Sequence, residues 1–239
     1  MKIFRKILEI LFPNHCLYCD CLVDNKALFC QNCWPKLQFI SNPKCTVCAY
    51  PFEFQASTSI CLKCLKNPPA FDETITVFRY NFVIKKAVLA MKYGDQTFIA
   101  KKLSTLLFSK IKDQLGEFDL LVAVPLHKKR LQKRKFNQAV LLAKNLNKLA
   151  PQLIFSPDLL VRIKHTKSQS ELRKKEREKN LKSAFVVNEK YRDLLKKKRV
   201  LLIDDVTTTS ATLHNCAKTL KKAGVIKVTA LTIAKTTLG

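Results

Sequence analysis

The sequence predicts an α/β protein: a parallel sheet with helices on both faces, preceded by a small N-terminal Cys-rich zinc-binding domain. Three observations point there. Beyond residue 70, short apolar runs alternate with segments of helical period, the pattern of strand–helix–strand units. Nine of the ten cysteines lie between Cys16 and Cys64, eight of them in Cys-x-x-Cys pairs. An apolar run from Val200 to Ile203 ends in two adjacent acids and a hydroxyl-rich turn that leads directly into a helical segment. With 239 residues, the chain holds one α/β domain of roughly 150–200 residues plus a small appendage.

In chain order, Met1–Phe12 places Phe4, Ile7, Leu8 and Leu11 at helical spacing. Arg5, Lys6 and Glu9 break its apolar run, and no small-residue cleavage site follows, so it reads as a short amphipathic helix and not a signal peptide. Packing on the neighbouring domain is its expected use, with peripheral contact at the inner membrane as the alternative. No stretch reaches the ~20 apolar residues of a transmembrane helix, and the expected location is the cytoplasm. Asn67-Pro-Pro69 marks the domain boundary: residues 1–69 form the helix and zinc-knuckle domain, and residues 70–239 the α/β domain.

Thr74–Tyr80 is strand-like, and Phe82–Tyr93 and Thr97–Gln114 have helical periodicity. Asp119–Val124, halted by Pro125, has the look of a buried parallel strand. Phe136–Leu149 gives a helix with Val140, Ala143, Leu146 and Leu149 on one side. Leu159–Ile163 and Ala184–Val187 are expected strands around a charged, hinge-like segment. Val200–Ile203, a polar turn, a helix over Leu213–Ala223 closed by Gly224, and a strand over Val225–Ala234 complete a β-turn-α-β unit.

The four knuckles are Cys16/Cys19, Cys30/Cys33, Cys45/Cys48 and Cys61/Cys64. Two residues between thiolates let both face one ion from a tight turn, and two knuckles complete a tetrahedral S₄ site. The implied metal is structural zinc, since no open coordination position is left for catalysis. A disulfide framework is disfavoured because nothing suggests secretion. Sequential and cross-braced pairing both satisfy the spacing, with one or two ions. Cys21 reads as a bystander beside the first knuckle, His15 is an alternative ligand there, and Cys216 falls on the core side of a helix. Lys26, Lys36, Lys44, Lys63, Lys66, Trp34 and several Phe suit either stacking on single-stranded bases or a miniature core.

Lys and Arg number 44 against 18 Asp and Glu, a formal charge of +26 that favours polyanionic partners. Basic clusters at Lys128–Arg134 and Arg162–Lys182 fall on the expected ligand face. Lys196–Arg199 precedes a strand whose far end is about 17 Å away, so it belongs on the opposite edge. Charge on both edges suits an extended polyanion. No P-loop lysine motif is present, so the chain is not expected to power DNA movement itself.

The stretch Arg199-Val-Leu-Leu-Ile-Asp-Asp-Val-Thr-Thr-Thr-Ser-Ala-Thr212 carries the most chemistry. A strand delivers Asp204 and Asp205 to its carboxyl end, where ligands bind in open α/β sheets. Backbone N–H groups and the positive end of the following helix suit a phosphate, with the Thr208, Thr209 and Thr212 hydroxyls adding donors. The two acids suit ribose hydroxyls or a divalent ion.

This stretch resembles the phosphoribosyl-pyrophosphate motif of type I phosphoribosyltransferases. Over nearly its whole length the chain is similar to the ComF family (ComFC and GntX-like proteins) of bacterial competence factors. The likeness runs through the knuckles, Lys66–Asp72, Met91–Tyr93, Val124–Arg130, Lys133–Gln138, then Arg162, Thr166, Gln169, Arg177, Asn180 and Ala184-Phe185. It implies a type I phosphoribosyltransferase fold in which Asp204 and Asp205 bind ribose. Thr207, Thr208, Thr209, Ser210, Ala211 and Thr212 would form the 5′-phosphate loop. Leu126, His127, Lys128, Lys129 and Arg130 occupy the position of the pyrophosphate loop, with Lys92 as a further diphosphate partner and Mg²⁺ as an accompanying ion. Arg162–Asn180 matches a hood over the site.

The implied function is a competence protein that handles incoming single-stranded DNA in natural transformation and binds phosphoribosyl pyrophosphate. A separate DNA helicase or translocase of the uptake machinery is its implied partner. The alternative is an active phosphoribosyltransferase acting on a base or amine. No catalytic base is identified; His127, His165 and His214 are uncommitted, and His165 lies in the hood. Two departures stand out: Ser210 and Lys135 occupy positions where the family has Gly. Ser210 is tolerable if its backbone avoids positive φ, and it adds bulk beside the phosphate.

Overall fold

The computed structural model describes residues 14–24, 27–54, 58–93, 96–163 and 184–237. The expected N-terminal helix and the hood residues His165, Thr166, Gln169, Arg177 and Asn180 lie outside them. Knuckle turns and the short helix α1 (Leu62–Lys66) make up the cysteine-rich part. The α/β part runs β1 (Glu73–Arg79), α2 (Phe82–Tyr93), α3 (Gln96–Ile111), β2 (Leu120–Ala123), α4 (Lys128–Arg134), α5 (Gln138–Leu149) and β3 (Ile154–Phe155). It continues with β4 (Leu160–Arg162), β5 (Phe185–Val187), β6 (Arg199–Thr207), α6 (Ala211–Lys222) and β7 (Lys227–Lys235).

The main sheet has the order β1-β7-β6-β2-β3, every pairing parallel. Its central strands are buried: all four residues of β2, and Val200 to Ile203 of β6. That explains their unbroken apolar sequence, since both faces meet helices. Going from β2 to β3 the chain moves one way along the sheet, and from β6 to β7 it moves the other. Right-handed crossovers therefore put α5 and α6 on opposite faces. The reversal falls between β2 and β6, and the crevice at their carboxyl ends is where such sheets take ligands.

Helix α2 matches its expected bounds because Val83, Ile84, Ala87, Val88 and Met91 repeat at helical spacing and are all buried. The helix expected to reach Gln114 ends earlier: α3 stops at Ile111 and tightens into a 3₁₀ turn over Lys112–Glu117. Leu159–Ile163 and Ala184–Val187 do form strands, but as an antiparallel pair, β4 with β5, outside the main sheet.

The two parts are packed on each other. Ile40 N–H donates to Val77 O, and Arg79 N–H to Gln38 O, so Gln38–Ile40 covers the outer edge of β1. Trp34, Phe39 and Phe78 stack in sequence, with centroids 5.6 and 4.7 Å apart. Trp34 and Phe39 thus help anchor the knuckles to β1, and Phe29 is buried in the core, whereas Phe54 is exposed. A paired, covered edge no longer offers free backbone groups to another chain.

Candidate anion site and metal centres

Strand β6 carries both acids before it ends. Asp204 and Asp205 lie within it, Thr207 is its last residue, and only Thr208–Ser210 separate it from α6. The strand is thus longer than its apolar run suggested, because β7 pairs with it as far as Thr207↔Lys235. Asp204, Val206, Thr207, Thr208, Ser210, Ala211 and Thr212 line a small hollow of about 30 Å³, room enough for water.

The two carboxylates differ. Asp204 Oδ1 accepts from Asp205 N–H at 2.9 Å, and Asp205 Oδ1 from Val206 N–H at 2.7 Å. Burial, then the charge of Asp205, pushes the Asp204 carboxyl well above its usual range. Asp205 instead holds an ion pair: Lys92 Nζ lies 2.7 Å from its Oδ2. Lys92 was expected to face a diphosphate; in this structure it is the counter-charge of Asp205. Arg162 is buried on β4, stacked over Phe185, with Arg130 and Asp204 the charged groups acting on it.

Ser210 does not avoid positive φ. Its backbone is left-handed, φ 61° and ψ 8°, immediately before α6. Lys135 is left-handed too, φ 65°, where it closes α4. Both departures from Gly therefore sit at the backbone geometry that Gly adopts without penalty; an L-residue there gives up about 1 kcal/mol. Ser210 Oγ lies 3.1 Å from Thr207 Oγ1 across the loop mouth.

The expected pyrophosphate turn is partly helical. Residues 125–127 have no regular structure; His127, itself extended, caps α4, its ring accepting from Lys129 N–H at 3.2 Å. Lys128, Lys129 and Arg130 form the first turn of α4. Asn137, noted only as part of a motif, ties this turn down: its Nδ2 donates to Val124 O at 2.9 Å while its Oδ1 caps α5. His214 accepts from Ala70 N–H at 3.1 Å, so His127 and His214 both have structural partners. Lys196–Arg199 does lie at the opposite edge, but Arg199 is engaged twice by Asp119, and Lys196 by Asp193.

The knuckles pair sequentially. Cys16, Cys19, Cys30 and Cys33 form one cluster and Cys45, Cys48, Cys61 and Cys64 the other, each with sulfurs within 4.8 Å of one another. Zinc–sulfur bonds of about 2.3 Å place tetrahedral sulfurs about 3.8 Å apart; Cys19–Cys30 at 3.6 Å and Cys48–Cys61 at 3.7 Å fit this. One backbone scaffold repeats. Cys16 N–H donates to Cys21 O and Cys45 N–H to Tyr50 O, while Asp20 and Ala49 take matching left-handed turns. Cys30 N–H then points at Cys16 Sγ and Cys61 N–H at Cys45 Sγ. The sequence showed the Cys-x-x-Cys pairs but not this deeper repeat. His15 is not in either cluster; its Nδ1 meets Asp20 O at 2.7 Å. Cys216 is a buried core residue.

As free thiols the members of a cluster do not ionise together. Burial pushes Cys48 up to about 11; burial and then hydrogen bonds with Cys19 and Cys30 push Cys33 up to about 12. Zinc binding must therefore expel protons. Lys235, at the end of β7 and only 4% exposed, is held below the usual lysine range by burial, while the charges of Cys48, Cys64 and Cys61 act in the opposite direction. It is also the register partner of Thr207, and Thr236 N–H donates to Thr207 O. The charges of the second cluster thus act on the end of β7 that pairs with Thr207, the residue from which the Thr208–Ser210 loop departs.

Among the described residues, no helix is long and apolar enough to cross a membrane. A double zinc ribbon domain matches residues 7–65, which span both clusters. Competence protein F of Haemophilus influenzae is 31% identical over 225 residues, covering 91% of this chain and 95% of the relative. Competence protein ComFC of Bacillus subtilis is 30% identical over 228 residues, covering 87% and 89%. The glutamine phosphoribosylpyrophosphate amidotransferase from B. subtilis aligns over 61% of this chain and 30% of its own, at 15% identity and a TM-score of 0.40. With its paired Cys₄ clusters, its parallel sheet and its full-length likeness to both competence proteins, the chain belongs to the ComF family.

Proposed function

We propose that this protein handles incoming single-stranded DNA in natural transformation, and that its Asp204–Thr212 site binds phosphoribosyl pyrophosphate. The observation that carries the ligand reading is the arrangement of Asp204 and Asp205 near the carboxyl end of β6, with only three residues between that strand and α6. Loop N–H groups and the helix terminus suit the 5′-phosphate, and the acids suit ribose hydroxyls. Thr207, Thr208, Thr209, Ser210, Ala211 and Thr212 form this cradle. Leu126, His127, Lys128, Lys129 and Arg130 approach from the end of β2, where the cations suit a diphosphate. Mg²⁺ fits the same place, since hard cations take carboxylate and phosphate oxygens; Asp204 and Asp205 would hold it, with Lys92 giving way.

Family membership and the +26 charge support the DNA reading. The zinc ribbons place Lys36, Lys44, Lys63 and Lys66 in a module beside the sheet, and a separate helicase or translocase supplies the work of DNA movement. Fluorescence anisotropy with a labelled single-stranded oligonucleotide tests this. Binding should weaken steeply with salt, log K falling linearly with log salt. Absence of binding at low salt, or binding indifferent to both salt and loss of the knuckles, would refute it.

A further inference from the structure

The first metal centre contains one thiol more than it needs. Cys21 Sγ lies 3.4 Å from Cys19 Sγ, closer than the Cys19–Cys30 ligand pair at 3.6 Å. Both Cys19 and Cys21 are exposed. The fold does not require a thiol at this position. Cys21 contributes its backbone carbonyl to Cys16 N–H, and in the second ribbon Tyr50 makes the same bond to Cys45. The second cluster has no fifth cysteine, and its Cys45, Cys48 and Cys64 are buried. The chain therefore holds two centres of one design, and only one of them has an accessible extra thiol against a ligand sulfur.

We propose that Cys19 and Cys21 form a hydroperoxide-oxidisable dithiol at the rim of the first zinc centre. Its conversion to a disulfide withdraws Cys19 from the ligand set and releases that centre's ion, while the second centre keeps its own. The proposal rests on zinc occupying the clusters. The Cys19 thiolate attacks a peroxide oxygen, giving a sulfenic acid and hydroxide. The Cys21 thiol then attacks that sulfur, the S–S bond forms, and water leaves. Two electrons pass from the two sulfurs to the peroxide, and the Cys21 proton departs in the water. The sulfurs need only close from 3.4 Å to a bond of about 2.05 Å, and a single residue, Asp20, separates them. Three thiolates remain around the ion, too few for a closed tetrahedral site.

The test uses the full chain in its two-zinc form, titrated with hydrogen peroxide. Released zinc is read by a chromophoric chelator and crosslinks by alkylation and peptide mass. One equivalent of zinc should leave with a Cys19–Cys21 disulfide, and thiol reductant plus zinc should restore the starting form. Cys21→Ser should begin with two ions and keep both at peroxide doses about tenfold higher. Release of both ions together, wild-type release from Cys21→Ser, or a disulfide elsewhere, such as Cys19–Cys30, would overturn the proposal. So would a Cys21→Ser protein that starts with only one ion, because Cys21 would then itself be a ligand.

Discussion

Replacing Lys92 by Met tests how strongly the anion site depends on the pair it forms with Asp205. The two groups are 2.7 Å apart, with side chains 19% and 15% exposed. An exposed ion pair is worth about 0–1 kcal/mol, and severing a fully buried one costs about 3–5 kcal/mol. This pair lies between those limits, nearer the buried one, so Lys92→Met should cost about 2 kcal/mol. For 150–250 residues that lowers Tm by about 4–8 °C. Asp205→Asn, which keeps the Oδ1 that accepts from Val206 N–H, removes the same pair from the other side. The double variant should then recover most of one loss, with a coupling of about 2 kcal/mol in a denaturant-unfolding cycle. A coupling below about 0.5 kcal/mol would mean the contact is a solvent-screened coincidence and would refute this account of the site's electrostatics.

Three further outcomes follow from the same geometry. Ser210→Gly should leave stability within about 1 kcal/mol, relief of the left-handed backbone offsetting the lost hydroxyl contact. It should also bind phosphoribosyl pyrophosphate more tightly in calorimetry; weaker binding would show that the hydroxyl is a ligand and not an obstruction. Asp204→Asn should raise Tm at neutral pH. The folded carboxyl is pushed above the value of 3.8, so wild-type stability falls as pH rises through that value, and the variant's advantage should vanish below it. An equal Tm difference at acid and neutral pH would contradict this. Lys235→Met removes a buried cation on which the Cys48, Cys64 and Cys61 charges act, so the second centre should lose zinc to a chelator about tenfold faster, with Lys235→Arg closer to wild type. Unchanged release would rule Lys235 out as the counter-charge.

Much of the fold was legible because apolar residues repeat at the period of the element they form. The faces of α2 and α6 and the runs in β2 and β6 are buried as their patterns require. Helix α4 was not legible: six of its seven residues are Lys, Arg or Gln, so no apolar stripe announces it, and its left-handed stop is Lys135 instead of Gly. The two residues of β3 are too few to show a period. Knuckle pairing was hidden because spacing alone fits sequential and cross-braced schemes; the gathering of the eight sulfurs into two sets of four decides it. The pair of Lys92 with Asp205, and the approach of Lys235 to the second cluster, join residues far apart in sequence and follow only from the strand order.

The central claim is that Asp204, Asp205 and the loop through Thr212 bind phosphoribosyl pyrophosphate. Isothermal titration with phosphoribosyl pyrophosphate and Mg²⁺, on the wild type and on the Asp204→Ala/Asp205→Ala variant, tests it most directly when zinc is counted in both. The account predicts binding by the wild type, none by the variant, and the same zinc content in each. Undiminished binding by the variant with its zinc intact would contradict it.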